Sequence, residues 1–100
     1  MSTIPRTAIL RRSPRVAYRE LGDERGAVLL RLDTGAYHGI DRVGVLVWDL
    51  LEGSPSFAEL IPSLRGKLRN VPAGFENEIS DFLTNLRDRD LIEVVDPNAS

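Results

Sequence analysis

Leu29-Leu30-Arg31-Leu32-Asp33-Thr34-Gly35-Ala36-Tyr37-His38-Gly39-Ile40-Asp41 is the stretch that decides the fold, because it contains two extended runs, the turn between them and the point where the residue period changes. The first run, residues 27–32, is apolar enough for a strand covered on one face and partly on the other, with Val28, Leu30 and Leu32 sharing a side. Asp33-Thr34-Gly35 makes a three-residue connection ending in glycine, which fits a type I turn closed by a left-handed residue. The chain then returns as a third strand over residues 36–40. Upstream, residues 16–21 read as a short strand, and residues 22–26, bounded by Gly22 and Gly26, supply the turn that folds it against residues 27–32. The product is a three-stranded antiparallel meander.

At Asp41 the period changes from that of a strand to that of a helix. Val43, Leu46, Val47, Leu50 and Leu51 recur at i, i+3, i+4, i+7 and i+8, with Asp41 placed as N-cap and Gly53 as the C-terminal stop. A second helix starts at Ser56, which makes a capping box with Glu59, and it buries Phe57, Leu60, Ile61, Leu64 and Leu68. Pro62 inside it is expected to kink or shorten it. Beyond Asn70-Val71-Pro72, the residues Phe75, Ile79, Phe82, Leu83 and Leu86 fall at helical spacing in a third helix that ends near Asp90, and residues 91–95 read as a short extended tail. Strands and then helices, segregated along the chain, predict an α+β domain in which three helices cover one face of a small antiparallel sheet.

The domain is expected over residues 15–95, after a flexible basic arm at 1–14 that holds Pro5, Pro14 and Arg11-Arg12, and before a short tail at 96–100. A chain of 100 residues has room for one core and little interior for a deep catalytic cavity, so binding on the outside is favoured. The absence of cysteine excludes a disulfide framework, a thiolate metal site and a cysteine nucleophile. No apolar run approaches the roughly 18 residues of a membrane span, and the first residues lack the apolar stretch of a secretory signal. A soluble cytoplasmic protein is expected. Charge is uneven: residues 1–20 hold five arginines against Glu20 alone, whereas residues 21–100 hold 8 basic and 14 acidic residues. An acidic body disfavours a nucleic-acid partner, which needs cations clustered on one face.

The residues offer little to a catalyst. His38 is the only histidine, with no neighbour in sequence to complete a metal site or a triad, and a strand-packing role is the stronger reading. The serines lack a nucleophile elbow, and the glycines sit mostly at turns and ends, unlike a phosphate loop. No enzyme activity and no cofactor are expected. Trp48 lies beside the stripe of the first helix, where core packing outweighs a partner contact. Three helices with a β-ribbon also suit a winged helix-turn-helix DNA-binding regulator, but the third helix region carries Glu76, Glu78, Asp81, Asp88 and Asp90 against Arg87 and Arg89, and phosphate would repel it. The third strand is the more promising surface. As the outer strand of a meander it leaves the N–H and C=O groups of residues 36–40 free to template another strand, and it lacks the lysines, prolines or bulges that guard such edges. A waiting peptide explains this, and so does an edge-strand dimer; a monomer is the default.

Residues 29–41, with Val47-Trp48-Asp49-Leu50-Leu51-Glu52-Gly53 and residues 82–92, resemble the signature of PqqD-like proteins, the precursor-recognition elements of ribosomal peptide natural-product pathways. The resemblance covers roughly residues 15–95. It implies a winged helix-turn-helix-like fold that binds the leader segment of a precursor peptide, as an added strand, in a groove between the third strand and the third helix. By that resemblance Ala36, Tyr37, His38, Gly39 and Ile40 pair with the leader, and Glu78, Ile79, Asp81, Phe82 and Leu86 lie on the helix that walls the groove. Free-standing proteins of this size are similar to the leader-binding subunits of lasso peptide pathways, which work with a separate leader peptidase and a cyclase. A pyrroloquinoline quinone peptide chaperone is the alternative. Asp90 stands where the family usually has glycine, and aspartate tolerates the left-handed geometry such a position needs. Glu78 and Asp81 predict a leader with a lysine or arginine near the groove, and the basic arm at Arg11 and Arg12 is expected to contact a partner enzyme.

Overall fold

Eight elements follow one another in a computed structural model that describes residues 4–22 and 25–95. They are β1 (Ile9–Arg12), β2 (Val16–Glu20), β3 (Ala27–Arg31), β4 (Tyr37–Ile40), α1 (Arg42–Leu51), α2 (Phe57–Lys67), α3 (Phe75–Asp88) and β5 (Ile92–Val95). β2, β3 and β4 form the antiparallel meander in that order, and β1 pairs with β5 in a separate two-stranded ladder. The α+β architecture, three antiparallel strands followed by three helices in a winged helix-turn-helix-like order, is the one the sequence predicts. Asp33-Thr34-Gly35 turns as expected: Gly35 has φ of 78°, its N–H donates to the Arg31 carbonyl, and the Arg31 N–H donates to the Ala36 carbonyl.

Periodicity grouped the side chains of β3 without saying which group faces inward. Ala27 and Leu29 are fully buried against the helices, whereas Leu30 and Leu32 are 36% and 64% exposed on the open face of the sheet. In α1 the buried line is Gly44, Val47, Trp48 and Leu51, rotated from the predicted stripe so that Val43, Leu46 and Leu50 are only half-buried. Asp41 caps the helix, accepting from the Gly44 N–H at 2.8 Å. The left-handed residue after α1 is Ser54, at φ 52°, rather than Gly53. Pro62 does not shorten α2, which runs on to Lys67; a complete capping box at Ser56 and Glu59 and the burial of Phe57, Leu60, Ile61 and Leu64 outweigh the one missing N–H. Asp90 follows α3 with φ of 59°, the left-handed geometry expected for that position.

The segment expected to be a flexible arm differs most. From Ile4 onward it is part of the core: Ile4, Ala8 and Leu10 are buried, β1 pairs with β5 from Ile9↔Val95 to Arg12↔Ile92, and the Leu10 N–H donates to the Pro55 carbonyl. Its arginines are occupied as well. Arg12 lies over the Trp48 ring, 4.9 Å from its centroid, and donates to the Trp48 carbonyl at 3.0 and 2.6 Å; Arg6 makes a two-pronged bond to Glu76, and Arg11 faces Glu93 at 3.7 Å. This corrects the expectation that Arg11 and Arg12 sit on an arm free to reach a partner. Four-residue strands have no periodicity to detect, and the partner of β1 lies at the opposite end of the sequence. Trp48, stacked on Tyr18 at 6.4 Å, is a packing residue, as expected. Residues 96–100 lie outside the described residues, as do Asp23 and Glu24 in the first hairpin turn.

Candidate functional site

β4 has β3 on one side and, among the described residues, no strand on the other. Its register decides which groups face outward. Ala36, on the β3 side of the ladder, accepts from Arg31; His38 opposite Leu29 and Ile40 opposite Ala27 follow in the same phase. The N–H and C=O groups of Tyr37 and Gly39 therefore point away from the sheet, offering four hydrogen-bonding groups. Side chains alternate the other way. Tyr37 stands 76% exposed on the open face, while His38 and Ile40 turn toward the helices.

α3 lies beside this edge. Phe75, Ile79, Leu83 and Leu86 are buried in the core, and Glu78, Phe82, Asn85 and Arg89, spaced i, i+4, i+7 and i+11, make one of the lines of side chains outside it. Phe82 is half-buried, and Arg89 is held by Asn85, its Nε donating to Oδ1 at 2.8 Å. Two features set the distance between strand and helix. At the Ile40 end, Gly44 lets α1, β4 and α3 meet: a Cβ there would lie 2.8 Å from Cβ of Ile40 and 3.1 Å from Cζ of Phe82. At the other end, Arg31 reaches from β3 to Asp90 at 3.2 Å and to Asp33 at 2.5 Å. Arg31 holds the Asp33 carboxyl below the usual carboxylate range.

A pocket of about 390 Å³ opens at the Ile40 end of β4, walled by Gly44, Leu68, Val71, Phe75, Ile79 and Phe82, with Asp41 and Glu78 at its margin. At the opposite end of the strand, burial pushes the His38 imidazole below its ordinary value, and the positive charge of Arg89 adds to the effect. The neutral ring is the form at pH 7. The site thus joins an extended backbone template, an apolar pocket, carboxylates toward the start of α3 and a guanidinium at its end. Among the described residues, no cluster of histidine, aspartate or glutamate is arranged to hold a metal ion, and no helix is long and apolar enough to cross a membrane.

The family described as coenzyme PQQ synthesis protein D (PqqD) matches residues 26–92. This chain belongs to the PqqD family. The PqqD-family fold recurs in TbiB1, solved in complex with the TbiA(beta) leader peptide, which is 29% identical and superposes with a TM-score of 0.71 over 90% of this chain and 99% of that one. A lasso peptide synthetase B1 complexed with its leader peptide is 20% identical, with a TM-score of 0.69 over 84% of this chain and 96% of that one. The heterocyclase TruD contains the same fold as a small part: 18% identity and a TM-score of 0.61 cover 93% of this chain but 12% of that one. No curated protein sequence matches this PqqD-family chain significantly.

The ten residues expected at the site fall into four groups. Tyr37, His38, Gly39 and Ile40 form the edge strand with Ala36 at its start, and Glu78, Ile79 and Phe82 border the pocket. Asp81 is exposed on the flank of α3 beside the outward line. Leu86 is fully buried and belongs to the core. Gly44, Leu68, Val71, Asn85 and Arg89 were not singled out from sequence. The spacing i+3 and i+7 from Phe82 was available as a signal for Asn85 and Arg89; nothing local marks Leu68 or Val71.

Proposed function

We propose that this protein binds the leader segment of a ribosomally made precursor peptide as a fourth strand against β4, and delivers it to separate maturation enzymes, a leader peptidase and a cyclase of the lasso peptide type. The observation that supports this reading is the unpaired edge of β4 beside an apolar pocket, in a chain similar over nearly its whole length to proteins solved with leader peptides bound. Four backbone hydrogen bonds contribute roughly 0.5–1.5 kcal/mol net each, while micromolar affinity requires about 8 kcal/mol and the peptide must also be ordered. Backbone pairing alone falls short. An apolar leader side chain seated against Phe82 and Ile79 adds roughly 1.5–3 kcal/mol, and the pocket selects which residue sits there. Glu78 and Asp81 favour a lysine or arginine in the leader where it passes the start of α3.

Gly39 provides the test. Its N–H faces outward, so Gly39→Pro removes a bond to the leader without removing one to β3. Binding of the leader from the precursor encoded nearest this gene, measured by fluorescence anisotropy, is expected to weaken by at least about tenfold while the circular dichroism stays native. Unchanged affinity in a folded variant would falsify strand addition. The family description also supports a second reading, a peptide chaperone of pyrroloquinoline quinone synthesis. Pull-down of a radical enzyme rather than a leader peptidase by the leader-loaded protein would select it.

A further inference from the structure

Gly39 lies inside β4, where a glycine weakens the strand, and nothing in the fold asks for one there. Its φ is not positive, unlike those of Gly22, Gly26, Gly35 and Gly74, and a Cβ built on it would meet no atom within 4 Å among the described residues. Gly26 and Gly44 differ, since a Cβ at either would run into Ile40. The register sets Gly39 opposite Val28 and Tyr37 opposite Leu30, and all four alternate with the residues that face the helices, so they share the open face of the sheet. The missing side chain leaves a shallow notch on that face. Half-buried Val28 lies behind it, and exposed Leu30 and Tyr37 run along one side. Gly39 is also one of the two residues whose N–H and C=O point off the edge. A strand added there therefore sets one residue directly beside the notch, with its side chain on the same face.

We propose that the Gly39 notch is a second side-chain site for the leader strand, taking one bulky apolar residue that lies across the glycine onto Val28 and against Tyr37. The inference rests on the strand-addition reading and deepens it, because the notch is continuous with the edge that the strand would occupy. A side chain at position 39 would fill the space the leader residue needs, and a large neighbour lying over a glycine restores the apolar contact that the glycine lacks. Strand alternation separates this residue from those in the groove. Leader side chains beside His38 and Ile40 turn toward the helices, and those beside Tyr37 and Gly39 turn the other way. The bulky residue thus stands an odd number of positions from any groove anchor. A strand that is apolar on one face only would fill the groove and leave the notch empty, so the notch discriminates between the proper leader and other apolar extended segments.

The probe is an mRNA-displayed library of random peptides of about 15 residues, long enough to run past both ends of β4. It is selected in parallel on wild type, Gly39→Val and Gly39→Pro, each verified as folded; a valine at 39 has open space around it and suits a strand. Wild type is expected to enrich extended peptides with groove anchors and one bulky apolar residue at an odd spacing from them. Gly39→Val should keep the anchors but place glycine, alanine or serine at the odd position, and Gly39→Pro should enrich neither pattern. A synthetic peptide from the wild-type selection and its alanine version at the odd position then give a ratio of affinities by fluorescence anisotropy, about fivefold on wild type and near unity on Gly39→Val. Tyr37→Ser, at a side chain the core does not use, should narrow the ratio too. A ratio near unity on wild type, or one unchanged on Gly39→Val, overturns the notch and leaves strand addition standing. So does a Gly39→Val selection that keeps large residues at the odd position. Sedimentation of the free protein tests the other occupant: a dimer that Gly39→Val disperses assigns the notch to a second copy of this chain and overturns the proposal. Equal enrichment on Gly39→Pro and wild type, or none on wild type, removes the strand-addition reading and this one with it.

Discussion

β1 and β4 are both four-residue strands at the margin of a sheet, one paired with the far end of the chain and the other with the strand just before it, and their surroundings differ. β1 is closed on every side: β5 pairs with it, the turn before α2 accepts from its backbone, Leu10 is fully buried, and Arg12 is fixed on Trp48. Among the described residues β4 pairs only with β3, and the pocket adjoins its end, where Asp41 follows Ile40. The contrast teaches that an unpaired edge is not forced on this chain by its size. The N-terminal segment supplies a strand and spends it elsewhere, sealing the back of the helices and leaving the β4 edge open.

The sharpest way to break the comparison is to damage the closed region and read both stability and binding. Leu10→Ala is expected to destabilise the protein by about 2–5 kcal/mol in urea unfolding, because it empties a fully packed position, yet to leave leader affinity unchanged wherever the variant is folded. A matching loss of affinity would mean that the two regions are not independent. Phe82→Ala is the mirror experiment. Its side chain is half-buried at the pocket, so the expected result is a loss of about 1.5–3 kcal/mol in binding, roughly ten- to a hundredfold by titration calorimetry, with a smaller change in stability.

The smallest effect belongs to His38. Its folded pKa lies below the ordinary histidine value, so the neutral ring favours the folded state; that contribution is present above the unfolded pKa and is lost as pH falls through it toward the folded one. A strand laid along β4 covers the ring further and keeps Arg89 near it. Leader affinity is therefore expected to fall a few-fold as pH falls through the His38 pKa of the free protein, which lies below the ordinary histidine value, and His38→Gln to flatten that slope. As His38 is the only histidine, a slope that survives the substitution assigns the dependence to the peptide instead.

Much of this was legible in the chain. The double turn chemistry of residues 22–26 and 33–35 specified the meander, the change of period at Asp41 specified α1, and the capping box specified α2, because each is a local signal within a few residues of where it acts. Asp90 was read correctly as a left-handed stop for the same reason. The groove was half legible. The edge strand follows from meander topology, but the face of α3 does not, since Phe82 and Leu86 carry equal apolar signals and only packing separates the half-buried ring from the buried leucine.

By itself, then, the sequence determined the order of the elements, their caps and turns, and the strand whose edge stays exposed, all of which depend on neighbours in the chain. Tertiary structure decided that residues 4–12 close against residues 55–57 and 91–95, which side of β3 meets the helices, and that Gly44, Leu68, Val71 and Phe82 converge on one pocket. Those outcomes turn on which apolar surfaces remain uncovered once the helices have packed. No local pattern records that quantity, because it is a property of the assembled core.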